Sequence, residues 1–213
     1  MKTPKKTTII YITSDLENTV FDDKIRELLK EKSGGLPIVS VSRKPLKFGR
    51  NICIGEEAEV SESTTLRQIL KGLLKAKTEY AILARADCLY PPAYFSFIPP
   101  TKNNLYKYRN VWVLGDKFWQ KGFSNSAQMG GRKHWIKLIQ EALKGHRGWK
   151  AFPVSPIMEV IGEYTWSSEE PVVEIRTHNN YNLFAQVFRN VLPKWALPVW
   201  GHASELKKAL GLT

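Results

Sequence analysis

Glu79-Tyr-Ala-Ile-Leu-Ala-Arg-Ala-Asp-Cys-Leu-Tyr-Pro-Pro92 is the stretch on which the reading of this chain turns. An apolar run of strand length, Tyr80 to Ala84, is followed by a carboxylate, Asp87. Two prolines then forbid continuation as helix or central strand. A buried strand that delivers an acid to its exposed C-terminal tip is how open α/β proteins build ligand and metal sites. The plain alternative is that Asp87 caps a turn, and the flanking sequence has to choose.

Upstream, Thr7-Thr-Ile-Ile-Tyr-Ile-Thr13 is β-branched and closed by polar residues, as a first strand would be. Ser14 or Asp15 offers a cap for a helix in which Val20, Ile25, Leu28 and Leu29 recur at helical spacing. Ser33-Gly34-Gly35 ends it, and Leu36-Pro-Ile-Val-Ser-Val-Ser42 is a second strand. Phe48 to Gly55 reads as a loop with a short extended piece. Ser61 to Thr65 then supplies N-caps for a helix with the stripe Leu66, Ile69, Leu70, Leu73 and Leu74. That helix leads into the Tyr80 strand. Two βαβ units before residue 90 predict a parallel sheet flanked by helices.

Beyond Pro92 aromatic and basic residues interleave. Leu105–Tyr108 and Asn110–Leu114 look like short strands continuing a mixed sheet, and Gly130-Gly131 opens a helix buried through Trp135, Ile136, Leu138, Ile139, Ala142 and Leu143. Lys150 to Ser168 reads as a long functional loop. Pro171–Arg176 is a late strand before Thr177-His-Asn-Asn-Tyr-Asn182, whose asparagines suit turns. A Pro- and Trp-rich tail leads to a short helix from Ser204 to Leu210.

At 213 residues the chain is read as one domain, 1–213, with no need of disulfide staples. Cys53 and Cys88 are expected to be small buried hydrophobes in a reducing compartment. The N-terminus does not read as a signal peptide and no apolar run reaches spanning length, so the expectation is a cytoplasmic protein without a membrane partner. The net charge is +12, and it is unevenly placed. Between Cys88 and Met158 eleven Lys and Arg face only Asp116 and Glu141. A field this lopsided favours a polyanionic partner, nucleic acid first, with anionic glycan or membrane surface behind it.

No phosphate-cradling Gly-Lys-Ser/Thr loop, dinucleotide glycine fingerprint, Cys-x-x-Cys, His-Glu-x-x-His or Gly-x-Ser-x-Gly is present. What remains is polar groups at strand ends: Thr13, Ser14 and Asp15; Ser40, Ser42, Arg43 and Lys44; Asp87; Arg176 and His178. If the strands are parallel neighbours, these converge at the carboxyl edge, where nucleotides bind in open α/β folds. Arg43, Lys44 or Arg85 would neutralise a diphosphate, and Asp87 would hold a divalent ion with His178 as second ligand. Loop charges and turn-forming polar residues remain the plainer account of each.

The segments Ile9-Ile-Tyr-Ile-Thr-Ser14, Ile38-Val-Ser-Val-Ser-Arg-Lys-Pro45, Gly49-Arg-Asn-Ile-Cys-Ile-Gly55, Arg67-Gln-Ile-Leu-Lys-Gly-Leu73, Arg85-Ala-Asp-Cys-Leu-Tyr-Pro-Pro92 and Glu174-Ile-Arg-Thr-His178 occur in an order that resembles the GT-A-fold glycosyltransferase-like proteins of tailed phages. The resemblance spans residues 7 to 210. It implies a nucleotide-binding βαβαβ part, 1–90, an acceptor-side part, 91–213, and sugar transfer from a nucleotide-sugar donor, UDP-linked, assisted by Mn²⁺ or Mg²⁺ at an acid-x-acid motif. By that likeness Thr13 and Asp15 lie near the base, Arg43 near the phosphates, Asp87 at the metal, and His178 on the far wall; Lys44 and Arg176 are added as binding groups from their places at strand ends. One position departs from the pattern: Arg85 stands where the first acid is expected. Its guanidinium is suited to take over part of the metal's work on the leaving diphosphate.

The leading expectation is therefore a glycosyltransferase acting on DNA, at a hydroxymethylated pyrimidine of phage DNA in the host cytoplasm. Trp112, Trp119 or Trp149 would stack on the exposed base. Glu159, Glu163 and Glu174 are the candidates for the base that takes the acceptor proton, with Glu163 put forward alongside Asp87 and Arg85. The alternatives are a non-catalytic nucleic-acid-binding protein with the same fold and a glycosyltransferase for a surface glycan.

Overall fold

The computed structural model describes residues 6–122, 124–146, 148–150, 164–177, 179, 187 and 190–212. Its first third alternates strand and helix as the sequence predicts. β1 (Thr7–Ile12), α1 (Thr19–Lys32), β2 (Ile38–Ser42), β3 (Arg50–Cys53), α2 (Glu62–Lys75) and β4 (Tyr80–Arg85) come in order. β4 and β2 flank β1 in parallel, and β3 adds a parallel edge strand beside β2. The β1 run Ile9, Ile10 and Tyr11 is completely buried, because helices and loops cover both faces of a parallel sheet.

Two helix details differ from the sequence reading. Asn18, not Ser14 or Asp15, caps α1 by accepting the Phe21 N–H. Starting the helix there sets its phase so that Phe21, Ile25, Leu28 and Leu29 face inward, while Val20 is left 61% exposed. In α2, Ser61 accepts the Thr64 N–H and the buried face runs through Leu66, Ile69 and Leu73. Leu74 is exposed. Gly72 permits the close approach of α2 to the sheet: a Cβ there would lie 2.5 Å from Cγ2 of Ile10.

After β4 the chain makes β5 (Cys88–Leu89), α3 (Pro92–Ser96), β6 (Leu105–Tyr108), β7 (Val111–Leu114), β8 (Phe118–Lys121), β9 (Gln128–Gly131) and α4 (Arg132–Ala142). β10 (Tyr164–Trp166), β11 (Val172–Ile175), β12 (Ala196–Leu197), β13 (Gly201–His202) and α5 (Ala203–Ala209) complete it. The central sheet has the order β10-β6-β9-β4-β1-β2-β3, and among the described strands β9 alone runs against its neighbours. A second sheet, β5-β11-β7-β8, packs beside it.

The expected continuation of one mixed sheet is thus corrected. β6 joins the central sheet, whereas β7 turns away at Arg109-Asn110 and pairs with β11 and β8. The Asn110 amide holds the turn by donating to the Ser168 carbonyl. The strand over Gln128–Gly131 carries little apolar patterning, and what admits it to the sheet is lack of bulk. A Cβ on Gly130 would lie 2.3 Å from Cδ2 of Leu105.

The aromatic residues after Pro92 are mostly core. Tyr94 contacts Tyr90, Phe95, Tyr108 and Trp166, with ring centroids 4.8–5.6 Å apart. Its hydroxyl donates to carbonyls of β4 and β9. Trp112 is buried with its indole N–H on Asn110, and Trp149 packs partly buried against the α2–α4 layer. Cys88 is buried as expected, but Cys53 lies exposed on edge strand β3. Among the described residues no helix is long and apolar enough to cross a membrane.

Candidate active site at the carboxyl edge

β1, β2 and β4 all deliver their C-termini to one edge of the central sheet, as parallel pairing requires. A cleft there is lined by Thr13, Arg43, Arg85 and Asp87 from the three strand ends. Ser61, Thr64 and Gln68 of α2 and its cap close one side, and Leu16, Glu17 and Asn179 another. The described walls enclose about 100 Å³. That is less than the ~300–1,000 Å³ of a site that engulfs a drug-sized ligand, and leaves room for one small polar moiety.

Asp15 has a different place from the one expected beside a base. It adopts a left-handed backbone conformation, φ 55°, for which aspartate is one of the better-suited residues. Its carboxylate accepts the backbone N–H groups of Arg43 and Lys44, tying the exit of β1 to the exit of β2. Asp15 therefore positions Arg43. The Arg43 guanidinium donates to the carbonyls of Ser14 and Glu56, and its Nε–H is buried with no partner among the described residues. Gln68 bridges the same strand ends, its amide donating to Thr13 O at 2.8 Å.

Ser40 and Ser42 are structural. Their hydroxyls donate to the Phe48 and Lys44 carbonyls and receive the Asn51 amide. Lys44 is exposed, pairs with Glu56 at 3.5 Å and does not line the cleft.

The Arg85-Ala-Asp87 corner lies between the two sheets. The Arg85 N–H donates to the Tyr90 hydroxyl, which in turn donates to Ser126 O. Ala86 N–H reaches Ile12 O, and Asp87 O accepts from Ile175 of β11. The side chains then face each other: Arg85 Nε lies 3.4 Å from Asp87 Oδ1, and Nη2 lies 3.4 Å from Oδ2. The carboxylate of Asp87, with smaller contributions from neighbours such as Glu174, holds the guanidinium in its charged form.

This geometry tests the expected Mn²⁺ or Mg²⁺ site. A hard divalent cation wants six or more oxygen ligands, and of the two carboxylates among the described cleft residues Asp87 has both oxygens facing one guanidinium while Glu17 accepts the Thr177 hydroxyl. Among the described residues no three His, Cys, Asp or Glu side chains gather where an ion would take them. The described residues do not fit a divalent ion.

Of the other expected site residues, His178 and Glu163 lie outside the described residues, as does Glu159. Arg176 does not line the cleft. It lines a separate cavity with Asp116, Trp119 and Lys207, because β11 belongs to the second sheet rather than to the parallel set. Glu174 does not line the cleft. It is 1% exposed, its carboxylate 2.7 Å from the ammonium of buried Lys121 and hydrogen-bonded by Ser124. Trp112 and Trp149 are committed to packing, and Trp119 stands over the separate cavity.

Sequence reasoning missed the first turn of α2. Ser61, Thr64 and Thr65 border the cleft, so the positive end of a 14-residue helix faces it. The signal was present in the Ser61-x-x-Thr64 cap, and only the fold shows where that cap points.

The strand order and the edge cleft define an open, mostly parallel α/β fold with an anion-suited carboxyl edge. No protein-family model matches the sequence, and neither does any curated protein. Among solved structures the chain is similar to a glycosyltransferase involved in glycosylation of the major capsid of PBCV-1, at 12% identity, 76% of this chain, 81% of that chain and a TM-score of 0.45. It is also similar to 4-diphosphocytidyl-2C-methyl-D-erythritol synthase from Anaerococcus prevotii, at 12% identity, with 85% and 95% coverage and a TM-score of 0.49. A third is the apo-form glycosyltransferase GlyE of Streptococcus pneumoniae, at 14% identity, with 78% and 46% coverage and a TM-score of 0.47. Likeness at this level carries no argument about activity, and the fold rests on the strand order itself.

Proposed function

We propose that the chain is a nucleotide-sugar-dependent glycosyltransferase whose donor diphosphate lies over the carboxyl ends of β1, β2 and β4. The observation that supports this is the meeting of Arg43, Arg85 and the N-terminal turn of α2 in one cleft that contains Asp87. Two guanidinium groups and a helix N-terminus are a fit for a dianionic diphosphate. In the transfer, the acceptor oxygen bonds to the anomeric carbon and the bond from that carbon to the diphosphate oxygen breaks. Charge gathers on the departing diphosphate, and Arg85 is the group beside it that stabilises that charge. Asp87 keeps Arg85 oriented. The acceptor proton goes to a base, for which Glu163 is the candidate carried from the sequence.

Uridine as the nucleoside and a hydroxymethylated pyrimidine of DNA as the acceptor belong to the same proposal. The support for DNA is the excess of cations between Cys88 and Met158.

The test is donor consumption across a panel of nucleotide sugars, with and without hydroxymethylated DNA, in EDTA and in Mn²⁺. Turnover that survives EDTA is expected, as is a loss of roughly 10- to 100-fold for Arg85→Ala, the value of one charge-assisted hydrogen bond to the diphosphate. No donor consumption anywhere on the panel would leave only a non-catalytic protein. Strict dependence on Mn²⁺ would overturn the role given to Arg85.

A further inference from the structure

The cations between Cys88 and Met158 do not gather at the donor cleft. Lys107 and Lys121 are buried, and Lys121 is neutralised by Glu174. A separate groove of about 680 Å³ opens at the amino edge of the central sheet, where β4 and β6 begin and β9 hands over to α4. Lys77, Lys102, Arg132, Lys133, His134 and Lys137 line it, with Glu79 as the one carboxylate among the described residues. The six residues of β4 separate this groove from the donor cleft by roughly 20 Å, at ~3.3 Å per residue.

Three features bear on what such a groove holds. First, the charge is largely uncompensated. Glu79 is taken by Lys102 at 3.2 Å, while Lys77, Lys133 and Lys137 are exposed and make no ion pair among the described residues. Arg132 is anchored, donating to the carbonyls of Thr78 and Leu73, and so fixes one wall. Second, the charge stands where it opposes the fold. Arg132 and Lys133 occupy the first turn of α4, the positive pole of the helix, and that turn holds no acid and no side-chain cap. His134 is pushed below its ordinary value by burial and by the Lys137 charge. Third, no apolar side chain lines the groove among the described residues. It lacks the aromatic anchors of a protein interface and the inserting residues of a membrane-surface site. The half-buried His134 imidazole is the one ring among the described lining residues, so contact is chiefly to phosphates and indifferent to sequence.

We infer that this amino-edge groove is a docking site for the phosphodiester backbone of nucleic acid, separate from the donor cleft and independent of the chemistry proposed there. Lysine ammonium groups on flexible stems suit it, since each can follow a phosphate without demanding a fixed fork geometry.

The test is fluorescence anisotropy of a labelled 20-base-pair duplex between 50 and 200 mM salt. If Lys77, Lys102, Lys133 and Lys137 each take one phosphate, log K falls against log salt with a slope of about −3.6. Lys133→Gln with Lys137→Gln should lower the magnitude of that slope by about 2 and weaken binding at low salt by at least ~10-fold. Lys30→Gln with Lys208→Gln removes the same net charge from exposed helix positions elsewhere and should leave binding within ~2-fold. Equal losses in the two double variants would overturn the groove, because binding would then follow net charge alone. So would absence of duplex binding at 50 mM salt, or binding of phosphatidylserine vesicles without binding of DNA. Arg85→Ala, which disables the donor proposal, should leave duplex affinity unchanged, so the two readings fail separately.

Discussion

Replacing Glu174 by alanine tests the buried charge pair of the second sheet. Glu174 and Lys121 face each other at 2.7 Å, with side-chain exposures of 2% and 6%. At an effective dielectric near 20 two unit charges at this separation attract by about 6 kcal/mol. Desolvation of both ions cancels most of that, so the pair as a whole adds little net stability. Removing one partner is another matter. Glu174→Ala leaves an ammonium buried between β7, β8 and β11 with its carboxylate gone, a loss of about 3–5 kcal/mol. With a urea m-value near 2 kcal/mol/M, the unfolding midpoint should fall by roughly 1.5–2.5 M. Lys121→Met, alone and combined with Glu174→Ala, completes the cycle, and the double variant, which abolishes both charges, should recover most of that loss. The double-mutant cycle therefore predicts strong positive coupling. Urea unfolding followed by tryptophan fluorescence reads all four corners. A single variant that loses less than about 1 kcal/mol, or a double variant that is merely additive, would refute the buried pair.

Asp22 predicts a pH dependence. Burial is the main cause that raises its carboxyl from the ordinary 3.8 to about 6, against the opposing pull of Arg26, and its Oδ1 has no hydrogen-bond partner among the described residues. The folded state therefore prefers the neutral acid, so this stabilisation is fully present below pH 3.8 and is lost as pH rises through about 6. The amount is about 3 kcal/mol, and Asp22→Asn should flatten that step in urea midpoints measured from pH 4 to 7, whereas an unchanged step would assign it elsewhere. Gly72→Ala would set a methyl 2.5 Å from the Ile10 side chain. Despite the better helix propensity of alanine it should lower stability by about 1–3 kcal/mol, and a rise in melting temperature would show that α2 has room. Tyr90→Phe strips the Arg85 N–H and the Ser126 carbonyl of their shared partner, and should cost about 1–3 kcal/mol together with donor turnover; full activity would remove this clamp from the site.

Local pattern carried the first ninety residues. β-branched runs, helical spacing and the Ser33-Gly34-Gly35 stop are short-range signals, and they delivered β1, α1, β2, α2 and β4 within a few residues of their observed bounds. The parallel pairing followed because connections of that length cross over and cannot form hairpins. From this came the meeting of Thr13, Arg43, Arg85 and Asp87, since parallel strands bring their carboxyl ends to one edge. Beyond Pro92 such signals thin out. β9 was unreadable because Gln128-Met-Gly-Gly131 enters the sheet through absence of bulk, which has no periodicity. The assignment of β7 to a second sheet depends on partners about 60 residues away in sequence.

The roles of charged residues divided along the same line. Sequence alone established the excess of cations, the single acid at the β4 tip and the arginine two residues before it. It could not establish which charges meet, because Coulomb energy depends on distance and burial, and both are properties of the tertiary fold. Only the structure paired Arg85 with Asp87, buried Glu174 on Lys121, made Asp15 a clamp for the Arg43 backbone, and moved the basic groove to the opposite edge. The residues named the charged groups, and the three-dimensional packing decided where each of them stands.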